Sequence, residues 1–143
     1  MSLNFRKGNH NDSTNLALVF DSAGRRVPAY FWFQYAASGQ SFFEFGREKI
    51  RTDYETSSYC KNWYVGESQS EFAGAFFGFV VDDPYPEIDY DNEPEWWVPF
   101  LELERIASGS WLLQAISILP EYRGRGLAGG FLSKADEVAK AKG

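Results

Sequence analysis

The chain has 143 residues, 44% of them apolar and 24% charged, which is ordinary globular usage and length enough for one domain with its own core. A formal net charge of −6 excludes a nucleic-acid binder built on a basic stripe and a polybasic membrane anchor, while it permits a cationic partner. One cysteine, Cys60, rules out an internal disulfide framework, no apolar run reaches the roughly 18 residues of a membrane span, and no signal-peptide pattern opens the sequence, so a cytoplasmic location is expected.

Met1, Ser2 and Leu3 are set aside as a segment that carries no fold argument. Residues 4–7 predict a short first strand. Asn11, Asp12 and Ser13 offer N-caps for a helix over 15–20, where Leu16, Val19 and Phe20 share a face, and Gly24 is its stop. Pro28 suits the first turn of a second helix carrying Tyr30, Phe31, Trp32, Phe33 and Tyr35. Gly39 interrupts it, and residues 42–50 resume as helix. The period then changes. Residues 62–66 and 72–81 read as two strands joined by 67–71, with Gly74 and Gly78 marking a bulge or a close backbone approach. Residues 82–97 hold Asp82, Asp83, Glu87, Asp89, Asp91, Glu93 and Glu95 with neither Lys nor Arg, a loop or insertion by composition. Residues 98–106 have helical spacing, and Ser108, Gly109 and Ser110 break it. Residues 111–119 are a largely apolar run, typical of a central strand buried on both faces. The last helix sets Leu127, Phe131, Ala135 and Val138 on one face, with Lys134, Glu137 and Lys140 outside.

The order is β, α, α, β, β, an insertion with a short helix, β, loop, α. This is a mixed α/β pattern in one domain, residues 1–143, with 82–107 as an acidic, aromatic insertion. The 13 Phe, 8 Tyr and 5 Trp build either a thick core or a ring-lined cleft.

The segment between Leu119 and the last helix, expected to begin near Gly126, holds Arg123, Gly124, Arg125 and Gly126. Glycines let the main chain approach a ligand closely. The first N–H groups of a helix lack internal partners, and with the helix dipole and two arginines they make an anion site suited to a diphosphate. The alternative is a plain strand-to-helix turn with solvated arginines.

Residues 116–128, ISILPEYRGRGLA, resemble the signature region of the GNAT N-acetyltransferases. That family's pattern is Arg or Gln, two residues, Gly, one residue, then Gly or Ala. It falls here on Arg123, Gly126 and Ala128. The preceding strand and the following amphipathic helix fit it too, and the resemblance is topological for the rest of the chain. It implies an α/β (α+β mixed-sheet) acyl-CoA N-acyltransferase fold, acetyl-CoA as co-substrate and no metal. It further implies that the N–H groups of Gly124, Arg125, Gly126, Leu127 and Ala128 hold the pyrophosphate. The main chain of Ile116 and Ile118 would pair with the pantetheine arm like an added strand. N–H groups near Ile116 would polarise the thioester carbonyl while a neutral amine attacks it directly.

Two departures stand out. The family often places a glutamate on the strand before the loop as general base, and residues 111–119 contain no carboxylate. Glu102 and Glu104 lie just upstream and read either as catalytic carboxylates, with a water relay as another route, or as solvated faces of a short helix. The family fold also continues with a further strand, a helix often carrying a tyrosine acid, and two more strands, so the chain is expected to lack that C-terminal part. An exposed strand edge then invites pairing into a homodimer. On the acceptor side, the seven carboxylates of 82–97 with Tyr85, Tyr90, Trp96 and Trp97 suit a cationic amine, or form a solvated loop. His10 reads as a surface polar residue and Cys60 as an inert packed thiol. Beside an amine acetyltransferase stand two other readings, a non-catalytic acyl-CoA-binding module and a structural subunit completed by a partner chain.

Overall fold

The computed structural model describes residues 2–142, and among them four strands form one antiparallel sheet. In spatial order these are β1 (Leu3–Lys7), β2 (Tyr64–Ser68), β3 (Glu71–Val80) and β4 (Trp111–Ile118). Three helices, α1 (Ser13–Ala23), α2 (Val27–Tyr35) and α3 (Phe42–Thr52), cover one face. A short helix, α4 (Val98–Ile106), lies in the connection from β3 to β4, and α5 (Ala128–Lys142) covers the other face. No helix among the described residues is long and apolar enough to cross a membrane.

Two cores follow from the alternation of β3. Ala75 and Phe77 point toward α1–α3 and join Leu16, Val19, Trp32, Ile50 and Trp63, whereas Phe76 points toward α5 and joins Phe131, Ala135 and Val138. Local chemistry fixes the helices that supply these groups. Ser41 and Glu44 form a reciprocal capping box at the start of α3, the Glu44 N–H donating to Ser41 Oγ at 3.0 Å. Asp21 near the end of α1 accepts Nε of Arg26 at 3.1 Å and the Ala29 N–H at 3.2 Å, tying the turn into α2.

Glycine marks the closest contact between sheet and helix. Gly66 and Gly74 are cross-strand partners, and a methyl group on Gly66 would overlap the Phe131 ring of α5. Gly74 is therefore a site of close approach. Gly78 instead flanks an irregularity, because Phe77 pairs with Ala115 and Gly78 with Leu113, which leaves Gln114 as an extra residue on β4.

Several sequence expectations change. Leu3 belongs to β1, pairing with Ser68, so the last residue of the segment set aside at the start of the chain takes part in the sheet, while Met1 lies outside the described residues. The β2–β3 connection is only Gln69 and Ser70, both in the left-handed region at φ 52° and 66°. The run over 111–119 is not a central strand. β4 lies at the sheet edge, Gln114 is exposed, and Ala115 is its one buried residue. Edge position removes the neighbouring strand whose side chains would cover it. The last helix begins at Ala128, after a short 3-10 turn over Pro120–Tyr122 and the glycine-rich segment.

Candidate functional site

The free edge of β4 has a defined pattern. The Leu119 N–H donates to the Ala73 carbonyl at 2.8 Å. Alternate residues of an antiparallel strand turn their amides to alternate sides, so Ser117 faces β3 while Ile116 and Ile118 present theirs to the open edge. The Ile118 carbonyl accepts Nε of Arg123 at 2.7 Å, which agrees with that direction.

Beyond β4 the chain turns sharply. Gly124 and Gly126 sit at φ 73° and 77°, a conformation costly for residues with a Cβ, and the space where each Cβ would lie is open. Leu127 anchors the turn by burying its side chain beside Phe131 and Phe76. The N–H groups of residues 126–130 donate to no acceptor among the described residues, and Phe131, bonding to the Leu127 carbonyl at 3.2 Å, is the first to enter the helical ladder. They form a row of outward donors at the positive end of α5.

Arg123 and Arg125 of this turn line a cleft of about 990 Å³ together with Ser22, Arg26, Glu71 and Ile118. Arg123 reaches across to Ser22 Oγ at 3.2 Å, and Ser117 Oγ meets the same hydroxyl at 3.3 Å. Tyr122 donates its hydroxyl to Glu71 at the start of β3, a bond that raises the Tyr122 pKa with burial adding to it. The Arg125 guanidinium lies over the Tyr122 ring, 5.2 Å from its centroid. Ser22, Glu71 and Tyr122 carry no spacing signal that singles them out; only Tyr122 falls inside the recognised segment.

The acidic segment forms a separate place. Val81 and Ser110 close it like the neck of a loop, with the Val81 N–H donating to Ser110 O and the Gly109 N–H to Val81 O, each at 2.9 Å. Its rings rest on α2: Trp96 meets Tyr30 at 5.3 Å and Phe31 at 5.0 Å, and Trp97 meets Phe31 at 5.2 Å. Under the loop lies a cavity of about 290 Å³ lined in part by Val81, Tyr85, Ile88, Leu101 and Glu104. Glu104 accepts the Tyr85 hydroxyl at 2.9 Å; burial and then this bond push the Tyr85 phenol up to about 12. Glu102 accepts the Tyr90 hydroxyl at 3.3 Å.

Ile118, Arg123 and Arg125 thus line one cleft, with Ile116 further along the same strand edge, whereas Gly124, Gly126, Leu127 and Ala128 are not among its lining residues. Glu102 and Glu104 do not line that cleft. They sit on α4, which leads into β4 at Trp111, and Ile116 lies five residues on, roughly 16 Å along an extended strand. His10 is exposed, with Nε2 at 3.2 Å from the Tyr59 hydroxyl. Cys60 is buried, and burial raises its thiol pKa. Among the described residues no group of three or more His, Cys, Asp or Glu is placed to hold a metal ion.

No protein-family model and no curated protein matches this sequence. Solved structures do match its fold. A crystal structure of an acetyltransferase aligns with TM-score 0.63 over 96% of this chain and 75% of that one, at 17% identity. An N-acetyltransferase from Staphylococcus aureus Mu50 aligns with TM-score 0.60 over 94% of this chain and 75% of its own, at 16% identity. The PaiA N-acetyltransferase from Thermoplasma acidophilum, in complex with coenzyme A, aligns with TM-score 0.53 over 99% of this chain and 74% of its own, at 14% identity. The fold is that of the GNAT acetyltransferases. In this fold the turn between β4 and α5 holds Arg123, Gly126 and Ala128.

Proposed function

We propose that the protein is an acetyl-CoA-dependent N-acetyltransferase that passes the acetyl group to a primary amine of a small molecule or peptide by direct attack. The observation that carries this reading is the row of unused N–H groups over residues 126–130 at the start of α5, following a turn whose Arg123 and Arg125 line a large cleft. Such donors bind a diphosphate without any side-chain rearrangement. The coenzyme A held by the PaiA structure of the same fold supports it. The outward amides of Ile116 and Ile118 suit a pantetheine arm added as a strand, and the Ile116 N–H is available to polarise a thioester carbonyl. β4 offers no carboxylate, so the amine proton leaves through water, or through Glu102 or Glu104 if the acceptor bridges the distance to α4, and the thiolate of coenzyme A released as the C–S bond breaks takes its proton from water. The acidic loop and its rings suit a cationic acceptor.

The open edge of β4 favours a second reading, a non-catalytic acyl-CoA-binding module or a subunit completed by a partner strand, a second copy included. Thiol release from acetyl-CoA across a panel of amines separates the two. Amine-dependent release supports the enzyme. Binding of acetyl-CoA with no release for any amine supports the module, and a mass that rises with concentration by light scattering supports the completed subunit.

A further inference from the structure

We infer that the two arginines of the loop have different tasks: Arg123 is a positioning residue that holds the end of β4, and Arg125 presents charge to phosphate. The inference rests on the acetyl-CoA reading above and assigns roles within that site.

Arg123 is already engaged. Its Nε donates to the Ile118 carbonyl at 2.7 Å and its Nη2 to Ser22 Oγ at 3.2 Å, while Ser117 Oγ meets the same Ser22 hydroxyl at 3.3 Å. One guanidinium therefore joins the last residue of β4, the loop and α1. The carbonyl it holds faces the open edge, where no strand among the described residues supplies a donor. Moving Arg123 to a phosphate would strip that carbonyl of a charge-assisted bond, the stronger kind. Arg125 differs. No carboxylate or carbonyl among the described residues receives its guanidinium, which lies over Tyr122 with that ring held in place by the hydroxyl bond to Glu71. Ring and bond fix where the charge lies and leave its N–H donors unspent. Arg26, the third arginine of the cleft, is paired with Asp21. The charge left for an anion in this cleft is that of Arg125.

The test uses the 143-residue chain and two ligands: coenzyme A, and 3′-phospho-ADP, which keeps the adenosine and the diphosphate but lacks the pantetheine arm. Titration calorimetry should show Arg125→Ala weakening both ligands alike, by about tenfold, the loss of one charged hydrogen bond. Arg123→Ala should weaken coenzyme A several-fold yet leave 3′-phospho-ADP within about twofold, since only the arm meets the strand edge. Arg123→Lys, which keeps a donor for the Ile118 carbonyl, should recover part of the loss. In the unliganded protein, exchange of the Leu119 amide should speed up in Arg123→Ala and not in Arg125→Ala. Equal weakening of both ligands by Arg123→Ala overturns the assignment, as does binding indifferent to Arg125→Ala. Should the wild type bind neither ligand, the acetyl-CoA reading fails, and the roles assigned toward the ligand fail with it. The Leu119 exchange then judges the anchor alone, and an unchanged rate refutes it.

Discussion

Phe131 is the pin between α5 and the sheet, and the consequence is measurable. Its ring is fully buried, meets Phe5 edge-on at 5.1 Å, and occupies the space a side chain would take at Gly66. Phe131→Ala should cost about 3–5 kcal/mol, because the backbone of β2 and β3 cannot collapse into the void. Gly66→Ala should cost about 1–3 kcal/mol by forcing the ring aside. The two changes are not independent, since all three atoms nearest a methyl at Gly66 belong to Phe131. In the double variant the methyl enters space the ring has left. Its total should fall short of the sum of the single costs by about 1–2 kcal/mol. Urea denaturation of the four proteins closes the cycle, with Leu132→Ala, on the exposed side of α5, as a control. Additive costs, or a Phe131→Ala cost under about 1 kcal/mol, would refute the packing argument and the claim that α5 is held rigidly behind the loop.

Three other outcomes are expected. Replacing Gln69 by Asn and Ser70 by Gly should stabilise the protein by about 1 kcal/mol in thermal unfolding, because both positions are left-handed and the new pair favours that turn. Arg6→Ala should cost about 2–3 kcal/mol in denaturant, less than a fully buried pair would: Arg6 donates to Asp12 at 2.8 and 2.9 Å and to Glu67 at 2.6 Å, and Asp12 is buried. For Tyr85, the unfolded phenol ionises near pH 10 and the folded one near 12. Its contribution to stability is therefore complete below about pH 10 and lost as pH rises toward 12. An alkaline titration followed by ultraviolet absorbance should show a late phenol that disappears in Tyr85→Phe.

Much of this architecture was legible because short-range pattern carried it. Leu16 and Val19 on α1, and Phe131, Ala135 and Val138 on α5, face the two cores as their spacing indicates. The glycines of the loop were legible because residues lacking a Cβ take their left-handed turn at least cost. Long-range facts were not. An apolar run such as Leu112-Leu113-Gln114-Ala115-Ile116 reads the same with strands on one side or both, so its edge position had no local sign. Gln69-Ser70 is a left-handed turn without the Asn-Gly pair that announces one. The bond from Arg123 to Ile118 joins a motif residue to main chain, and the pairing of Tyr85 with Glu104 crosses an irregular loop; no periodicity encodes either. The glycine-flanked segment predicts donors for an anion, but only the fold shows which of its arginines is already engaged.

The measurement that bears most directly on the central claim is calorimetric titration of the 143-residue chain with acetyl-CoA. The account predicts saturable one-to-one binding, competed by coenzyme A and lost when Gly126, at φ 77°, is replaced by Val, which would distort the row of N–H donors. Absence of binding by a chain shown to be folded, or binding indifferent to that replacement, would contradict it.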